Sequence, residues 1–172
     1  MDINQITNVN LYEFGLSDQD ETLAFYAPSG SNQGIGSFNQ TTIAKGNRET
    51  PKLQLYEGDN FLRKRSPGKI SLIKIDVEGF ESDVLTGASS LLAQKKIDYI
   101  LFELQETLLQ SIERTSQEVF DILFESGYQI IDLNGRIMEQ DSAQKIPNGD
   151  YLACINGAQT AKVLATSPFE LI

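Results

Sequence analysis

The chain has 172 residues, a formal net charge of −10 and no histidine. This length corresponds to a single domain, here residues 1–172, and an apolar content of 40% with 22% charged residues is typical of a folded globular protein. The excess of acidic side chains argues against binding to nucleic acid or to an anionic membrane surface, which both require clustered Lys and Arg. The absence of histidine excludes Ser–His and Cys–His nucleophiles and histidine-based zinc sites.

The first third of the chain is predicted to contain short strands, a long loop and a short helix. Strands are predicted at residues 9–14, 22–26 and 52–56. Residues 28–48 are rich in Ser, Gly, Asn, Gln and Thr, which predicts a mobile loop. A short helix is predicted at residues 60–65, and Pro67-Gly68 separates it from the next strand.

The middle of the chain is predicted to be a strand–helix–strand unit. Along residues 72–77 and into Glu78, apolar and charged side chains alternate, so that Lys74, Asp76 and Glu78 share one face. A helix is predicted at residues 80–94, and a second apolar strand at residues 99–103. This spacing suits a right-handed crossover, so we expect the two strands to be parallel neighbours.

The last third is predicted to contain a helix followed by antiparallel strands. Thr115-x-x-Glu118 is a capping-box pattern, which opens a helix that runs to residue 126. A strand at residues 128–133 is expected to turn tightly at Asn134-Gly135 into residues 136–138. Cys154 lies in a final apolar strand and is expected to be buried and inert. It is the only cysteine, so no disulfide can form within the chain, and a cytoplasmic location is expected.

The acidic ends of the two central strands are the best candidate for a functional site. Ligands of open α/β sheets bind at the carboxyl ends of the strands. We therefore expect Asp76 and Glu103 to lie close together at one edge of the sheet, with Lys74 nearby. A carboxylate at the position of Glu103 either pairs with Lys74 or faces a cleft, since an unpaired buried charge is costly.

Structural roles are open to the same charged residues. Lys74 could lie along the edge of the sheet with its ammonium group in water. Asp76 and Glu78 could cap the following helix. Glu81 and Asp83 lie in the first turn of that helix, where carboxylates interact favourably with the macrodipole.

The central segment resembles the signature of FkbM-type methyltransferases. The residues that carry the resemblance are Lys74-Ile75-Asp76-Val77-Glu78-Gly79-x-Glu81, Val84-Leu85-x-Gly87-Ala88 and Ile100-Leu101-Phe102-Glu103-Leu104. Asn8-Val9 and Phe14-Gly15-Leu16-Ser17-Asp18 are similar to the stretch before the signature, with weaker similarity at Ser31-Asn32-Gln33-Gly34 and Ser37. The resemblance covers residues 8–130 approximately.

The resemblance implies a Rossmann-like class I methyltransferase fold of the α/β class, with a mixed, mostly parallel sheet and a C-terminal antiparallel hairpin. It implies S-adenosylmethionine (SAM) as the cofactor and a hydroxyl on a small-molecule or glycan acceptor, such as a sugar or polyketide-like compound, as the methyl acceptor. The residues that it implies for catalysis are Asp76, Glu103 and Lys74. Those that it implies for cofactor binding are Leu16, Ser17, Asp76 and Glu78. Three acidic residues are weak evidence for Mg²⁺, and no metal is predicted.

One part of the family pattern is missing from this sequence. In the family, a turn of the type Asp-x-Gly-Ala-Asn-x-Gly and a second strand that ends in an acidic residue come first. The fold is therefore expected to be partial, and the isolated chain is expected to bind SAM weakly or not at all. The strand at residues 72–77 would then be an exposed edge, which predicts a homodimer, a complementing chain or a rearrangement of residues 1–30. Three interpretations of the chain remain open: an enzyme, a non-catalytic remnant or binding module, and one half of a split enzyme.

Overall fold

The computed structural model describes residues 7–26, 51–65, 68–140, 146–157 and 160, and these residues form an α/β structure. Its first sheet is built from the strands β1 (Gly15–Ser17), β2 (Glu21–Ala24) and β3 (Lys52–Glu57). The strand order is β1-β3-β2, with β1 parallel and β2 antiparallel to β3. The loop predicted at residues 28–48 lies outside the described residues.

The second sheet is larger and carries the strands of the predicted site. Its strands are β4 (Ile70–Ile75), β5 (Ile97–Leu104), β6 (Gln129–Asp132) and β7 (Gly149–Cys154), in the order β4-β5-β7-β6. β4 runs parallel to β5, which confirms the predicted pairing of the central strands. β7 runs antiparallel to both β5 and β6. The described sheet is therefore mixed, and antiparallel pairs outnumber parallel ones, contrary to the mostly parallel sheet that was expected.

Along the chain, the helices connect these strands. They are α1 (Gly58–Arg65), α2 (Glu81–Gly87), α3 (Ser89–Ala93), α4 (Glu106–Ser111) and α5 (Ser116–Glu125). α1 carries Asp59 in its first turn and basic side chains in its last turn, which suits the helix macrodipole. α5 begins as predicted, since the Thr115 hydroxyl accepts a hydrogen bond from the Glu118 backbone N–H at 3.3 Å.

The prediction of a single helix at residues 80–94 was wrong, because the helix is interrupted at Ala88. Asp59, which belongs to α1, is only 8% exposed. Its carboxylate accepts hydrogen bonds from the backbone N–H groups of Ser90 at 2.8 Å and Leu91 at 2.9 Å. These donors would otherwise lack partners at the start of a helix. A side chain from another element therefore caps α3 and makes a separate helix of it.

The prediction of a strand at residues 9–14 was also wrong, since the first regular strand is β1. The aromatic side chains of this segment pack on α1 and β3 instead of joining a ladder. Phe14 contacts Tyr56 and Phe61 with ring centroids 4.9 Å apart in both pairs. Tyr12 lies 5.2 Å from Phe61, measured between ring centroids. Side-chain packing rather than strand pairing thus holds this segment.

The core lies between the second sheet and the helices, and aromatic rings form its centre. Phe102 of β5, Phe120 of α5 and Tyr151 of β7 contact each other with centroid distances of 5.3–6.4 Å. Cys154 is 1% exposed, so its thiol is buried as predicted. The Asn134-Gly135 turn is also confirmed, and the returning segment meets β6 at the bridge between Ile131 and Ile137. None of the described helices is long and apolar enough to cross a membrane.

Candidate functional site

The carboxyl ends of β4 and β5 lie side by side, because Ile75 pairs with Phe102 in the parallel register. The residues that follow, Asp76 and Glu103, therefore come to the same edge of the sheet. A small cavity of about 10 Å³ lies there. Its lining consists of Asp76, Glu78, Gly79, Glu81, Glu103, Gln105 and Leu108. We call the four carboxylates of this lining the acidic site.

A tight turn after β4 places the acidic side chains. Glu78 has φ 53° and Gly79 has φ 105°, so the chain reverses through the left-handed region. A glycine accepts this conformation readily, whereas a glutamate seldom does. A Cβ atom on Gly79 would also come within 3.3 Å of the Ile112 side chain. The turn explains why β4 ends at Ile75, two residues before the predicted end.

Hydrogen bonds fix two of the carboxylates. The Lys74 ammonium group donates to Asp76 Oδ2 at 2.5 Å. The Gln105 amide donates to Glu103 Oε1 at 2.8 Å. Lys74 therefore pairs with the residue that directly follows its own strand, while Glu103 is half-buried, bonds to Gln105 and lines the cavity. The hydrogen bond with Asp76 raises the pKa of Lys74, and the negative charges of Asp150 and Glu103 raise it further.

The two glutamates of the turn have raised pKa values. Burial raises the pKa of Glu78, and the nearby negative charges of Asp76 and Glu103 raise it further. Burial also raises the pKa of Glu81, although backbone hydrogen bonds oppose the change. Carboxyl groups with raised pKa values are common where proteins transfer protons. The acidic site therefore contains two carboxyl groups that bind a proton more tightly than an ordinary glutamate does.

Leu16 and Ser17 do not belong to this cavity. Leu16 lines a separate apolar cavity together with Ile73 and Ile75. Ser17 is buried, and its carbonyl oxygen faces Gly87 at the far end of α2. The structure thus brings Asp76, Glu78, Glu103 and Lys74 together, and leaves these two elsewhere. The role of Leu16 and Ser17 in cofactor binding stays a prediction.

Two residues of the site had no functional role in the sequence analysis. Gln105 was not singled out, and Glu81 was assigned to the helix macrodipole. The available signal for Glu81 was its spacing, since a side chain two residues after Gly79 can reach back to the backbone of that turn. Asp83 lies apart from the cavity and pairs with Arg114 at 2.6 Å. Within the described residues, no group of three His, Cys, Asp or Glu side chains has an arrangement that could hold a metal ion.

A known protein family matches most of the chain. The family model described as the methyltransferase FkbM domain matches residues 3–130, about three quarters of the chain. The chain therefore belongs to the FkbM methyltransferase family. Searches of curated proteins and of solved structures find no match.

The family implies a SAM-type cofactor, and the acidic site fits only part of such a molecule. Pockets for ligands of this size measure roughly 300–1,000 Å³, whereas the acidic cavity measures about 10 Å³. Such a volume holds about one water molecule. Carboxylates at this edge suit a cationic group such as the sulfonium of SAM. They do not enclose the rest of the cofactor.

Proposed function

We propose that the chain acts as a SAM-dependent methyltransferase that methylates a hydroxyl group on a sugar or polyketide-like acceptor. The observation that carries the proposal is the meeting of Asp76, Glu78 and Glu103 at the ends of two parallel strands, in a chain of the FkbM family. Polyhydroxylated acceptors suit this edge, because carboxylates and the Gln105 amide can hydrogen-bond to several hydroxyl groups at once.

The residues of the acidic site have two tasks in this reaction, while the cofactor supplies the methyl group. The first task is to hold the acceptor hydroxyl in line, and alignment of this kind can lower a barrier by about 7–11 kcal/mol. The second is to accept the hydroxyl proton. A carboxylate with an ordinary pKa of about 4 is a weak base for an alcohol.

Glu78 is the best candidate for the base among the carboxylates, since burial and its acidic neighbours raise its pKa. Asp76 and Glu103 would bind the acceptor and the cationic end of the cofactor. Lys74 would keep Asp76 oriented through their hydrogen bond. Asp76 and Glu103 would thus contribute to binding, and Glu78 would contribute chiefly to the chemical step.

A second function, a binding module without catalysis, is favoured by the small volume of the acidic cavity. Such a module would retain the acidic edge and bind a polyhydroxylated or cationic ligand without methylating it. The two functions differ in whether a labelled methyl group appears on the acceptor.

The deciding experiment measures transfer of a labelled methyl group from SAM, at millimolar concentration, to a panel of sugars and polyketide-like alcohols. Glu78→Gln should lower the rate by about 10²–10⁴-fold, the range for loss of a general base. Glu125→Gln makes the same charge change on the exposed surface of α5 and should leave the rate unchanged. Transfer that survives both Glu78→Gln and Asp76→Asn would contradict the proposal. Ligand binding without any transfer would favour the binding module.

A further inference from the structure

Glu81 is a buried acid whose carboxylate contacts the backbone of the site. It is the first residue of α2 and only 3% exposed. Its Oε1 atom accepts hydrogen bonds from the N–H groups of Val77 at 3.4 Å and Gly79 at 3.3 Å. Its Oε2 atom is buried and has no hydrogen-bond partner within the described part of the chain, and the residue lines the acidic cavity. Burial of a carboxylate with one unpaired oxygen opposes folding, so stability alone does not account for it.

The two N–H groups that Glu81 holds flank the strained residue of the turn. Glu78 lies between Val77 and Gly79 and adopts φ 53°. A left-handed conformation at a residue with a Cβ atom persists only where its surroundings hold it in place. A single oxygen of Glu81 accepts hydrogen bonds from the residues on both sides of Glu78, and this carboxyl group therefore supplies the restraint. An interaction with the macrodipole of α2 would not require both contacts.

We infer that Glu81 is a positioning residue, whose carboxyl oxygen holds the turn so that Glu78 faces Asp76 and Glu103. The effect of Glu81 on methyl transfer rests on the proposed function, whereas its effect on the position of Glu78 does not. If the turn relaxes, Glu78 can reach solvent and move away from both acidic neighbours. The pKa of Glu78 should then fall toward its ordinary value, because burial and these neighbours are what raise it.

The test compares Glu81→Leu with Glu81→Gln by NMR. Leu fills the buried volume without an acceptor and keeps the core apolar, so this variant should fold. Gln retains an oxygen that can accept both N–H groups. The two readouts are the titration of the Glu78 carboxyl carbon and the hydrogen exchange of the Val77 and Gly79 amides. The control is Glu125→Leu on the exposed surface of α5.

In Glu81→Leu we expect a lower Glu78 pKa and at least tenfold faster exchange of both amides. We expect Glu81→Gln to restore both readouts, and Glu125→Leu to change neither. An unchanged Glu78 pKa in Glu81→Leu would overturn the inference. So would a Glu81→Gln variant that behaves like Glu81→Leu, because the oxygen acceptor would then be irrelevant. These readouts need no methyl transfer, so they separate a failure of this inference from a failure of the proposed function.

Discussion

Two neighbouring glutamates of the acidic site have raised pKa values, and burial is the first cause for both. For Glu78 the negative charges of Asp76 and Glu103 add to the effect of burial. For Glu81 the backbone hydrogen bonds from Val77 and Gly79 oppose it. Each group therefore binds a proton more tightly in the folded chain than in the unfolded chain. This difference connects the chemistry of the site with the stability of the fold.

The pH dependence of stability should reveal the buried acid. The folded pKa of Glu81 lies above its ordinary value of 4.5. Between these two values the folded state binds more protons than the unfolded state, so the free energy of unfolding falls as pH rises. Gln does not titrate, so Glu81→Gln lacks this loss. We expect urea unfolding to show Glu81→Gln gaining stability relative to the wild type as the pH rises above this ordinary value. A stability difference that does not change with pH would contradict the raised pKa.

The Asp59 cap gives a second prediction for a single residue. Asp59→Ala leaves the Ser90 and Leu91 N–H groups at the start of α3 without their acceptor. We expect a loss of about 1–2 kcal/mol in the free energy of unfolding, the upper part of the range for a helix cap. Urea unfolding measures it, and Glu125→Ala on the exposed surface should stay within about 0.5 kcal/mol of the wild type. A loss no larger than that of the control would show that the cap contributes nothing.

The sequence identifies some of these residues and not others. Asp76 and Glu103 could be predicted because each follows an apolar strand, and a parallel pair brings strand ends together. The only sequence signal for the role of Glu81 is its spacing from Gly79, because its partners are backbone groups of the turn. The role of Asp59 could not be predicted, since its partners lie 31 and 32 residues further along the chain.

For the helices and strands, local sequence patterns predict the elements that local interactions stabilise. The capping box predicts the start of α5, and alternation of apolar side chains predicts β4 and β5. α4 was missed because its sequence is largely polar. It is held by contacts with residues that are distant in the sequence, such as the hydrogen bond from the Glu106 N–H to Asn148 Oδ1 at 2.9 Å. Buried Leu109 anchors it to the core.

Gly87 lies where α2 packs closely against β1, and this contact gives a prediction for the packing of the two elements. A Cβ atom at this position would lie 1.9 Å from the carbonyl oxygen of Ser17, so β1 and α2 must separate to admit it. We expect Gly87→Ala to lower the free energy of unfolding by about 1–3 kcal/mol, the range for overpacking. The matched control is Gly68→Ala, because nothing described lies within 4 Å of a Cβ atom there. Equal stabilities of the two variants in urea unfolding would contradict the close approach.

At the scale of the whole molecule, the second sheet ends in an exposed strand. Among the described strands, β4 pairs with β5 alone, and Leu72 of β4 is 55% exposed. An exposed edge at this strand is what the family resemblance led us to expect. A flat edge with unpaired backbone groups favours association with a further strand. We propose that a second copy of the chain or a complementing chain pairs with β4.

Sedimentation tests this proposal. We expect the sedimentation coefficient to rise with concentration, together with slow amide exchange along residues 70–75. Leu72→Lys should weaken association, because a lysine on an edge strand opposes pairing. Leu133→Lys is the matched control, since Leu133 is 41% exposed and lies beyond the end of β6. A monomer at high concentration with fast-exchanging amides along β4 would contradict the proposal.

We propose that methyl transfer takes place at the acidic edge of β4 and β5. The most direct test of this site is an NMR titration of the isotope-labelled chain with SAM. We expect weak binding, with resonance shifts centred on residues 76–79 and 103–105. These shifts should be smaller in Asp76→Asn and unchanged in Glu125→Gln. A second, open groove is lined by residues that include Thr86, Lys95 and Gly127. The proposal would be contradicted if the shifts were centred on that groove. It would also be contradicted by micromolar binding that Asp76→Asn leaves intact.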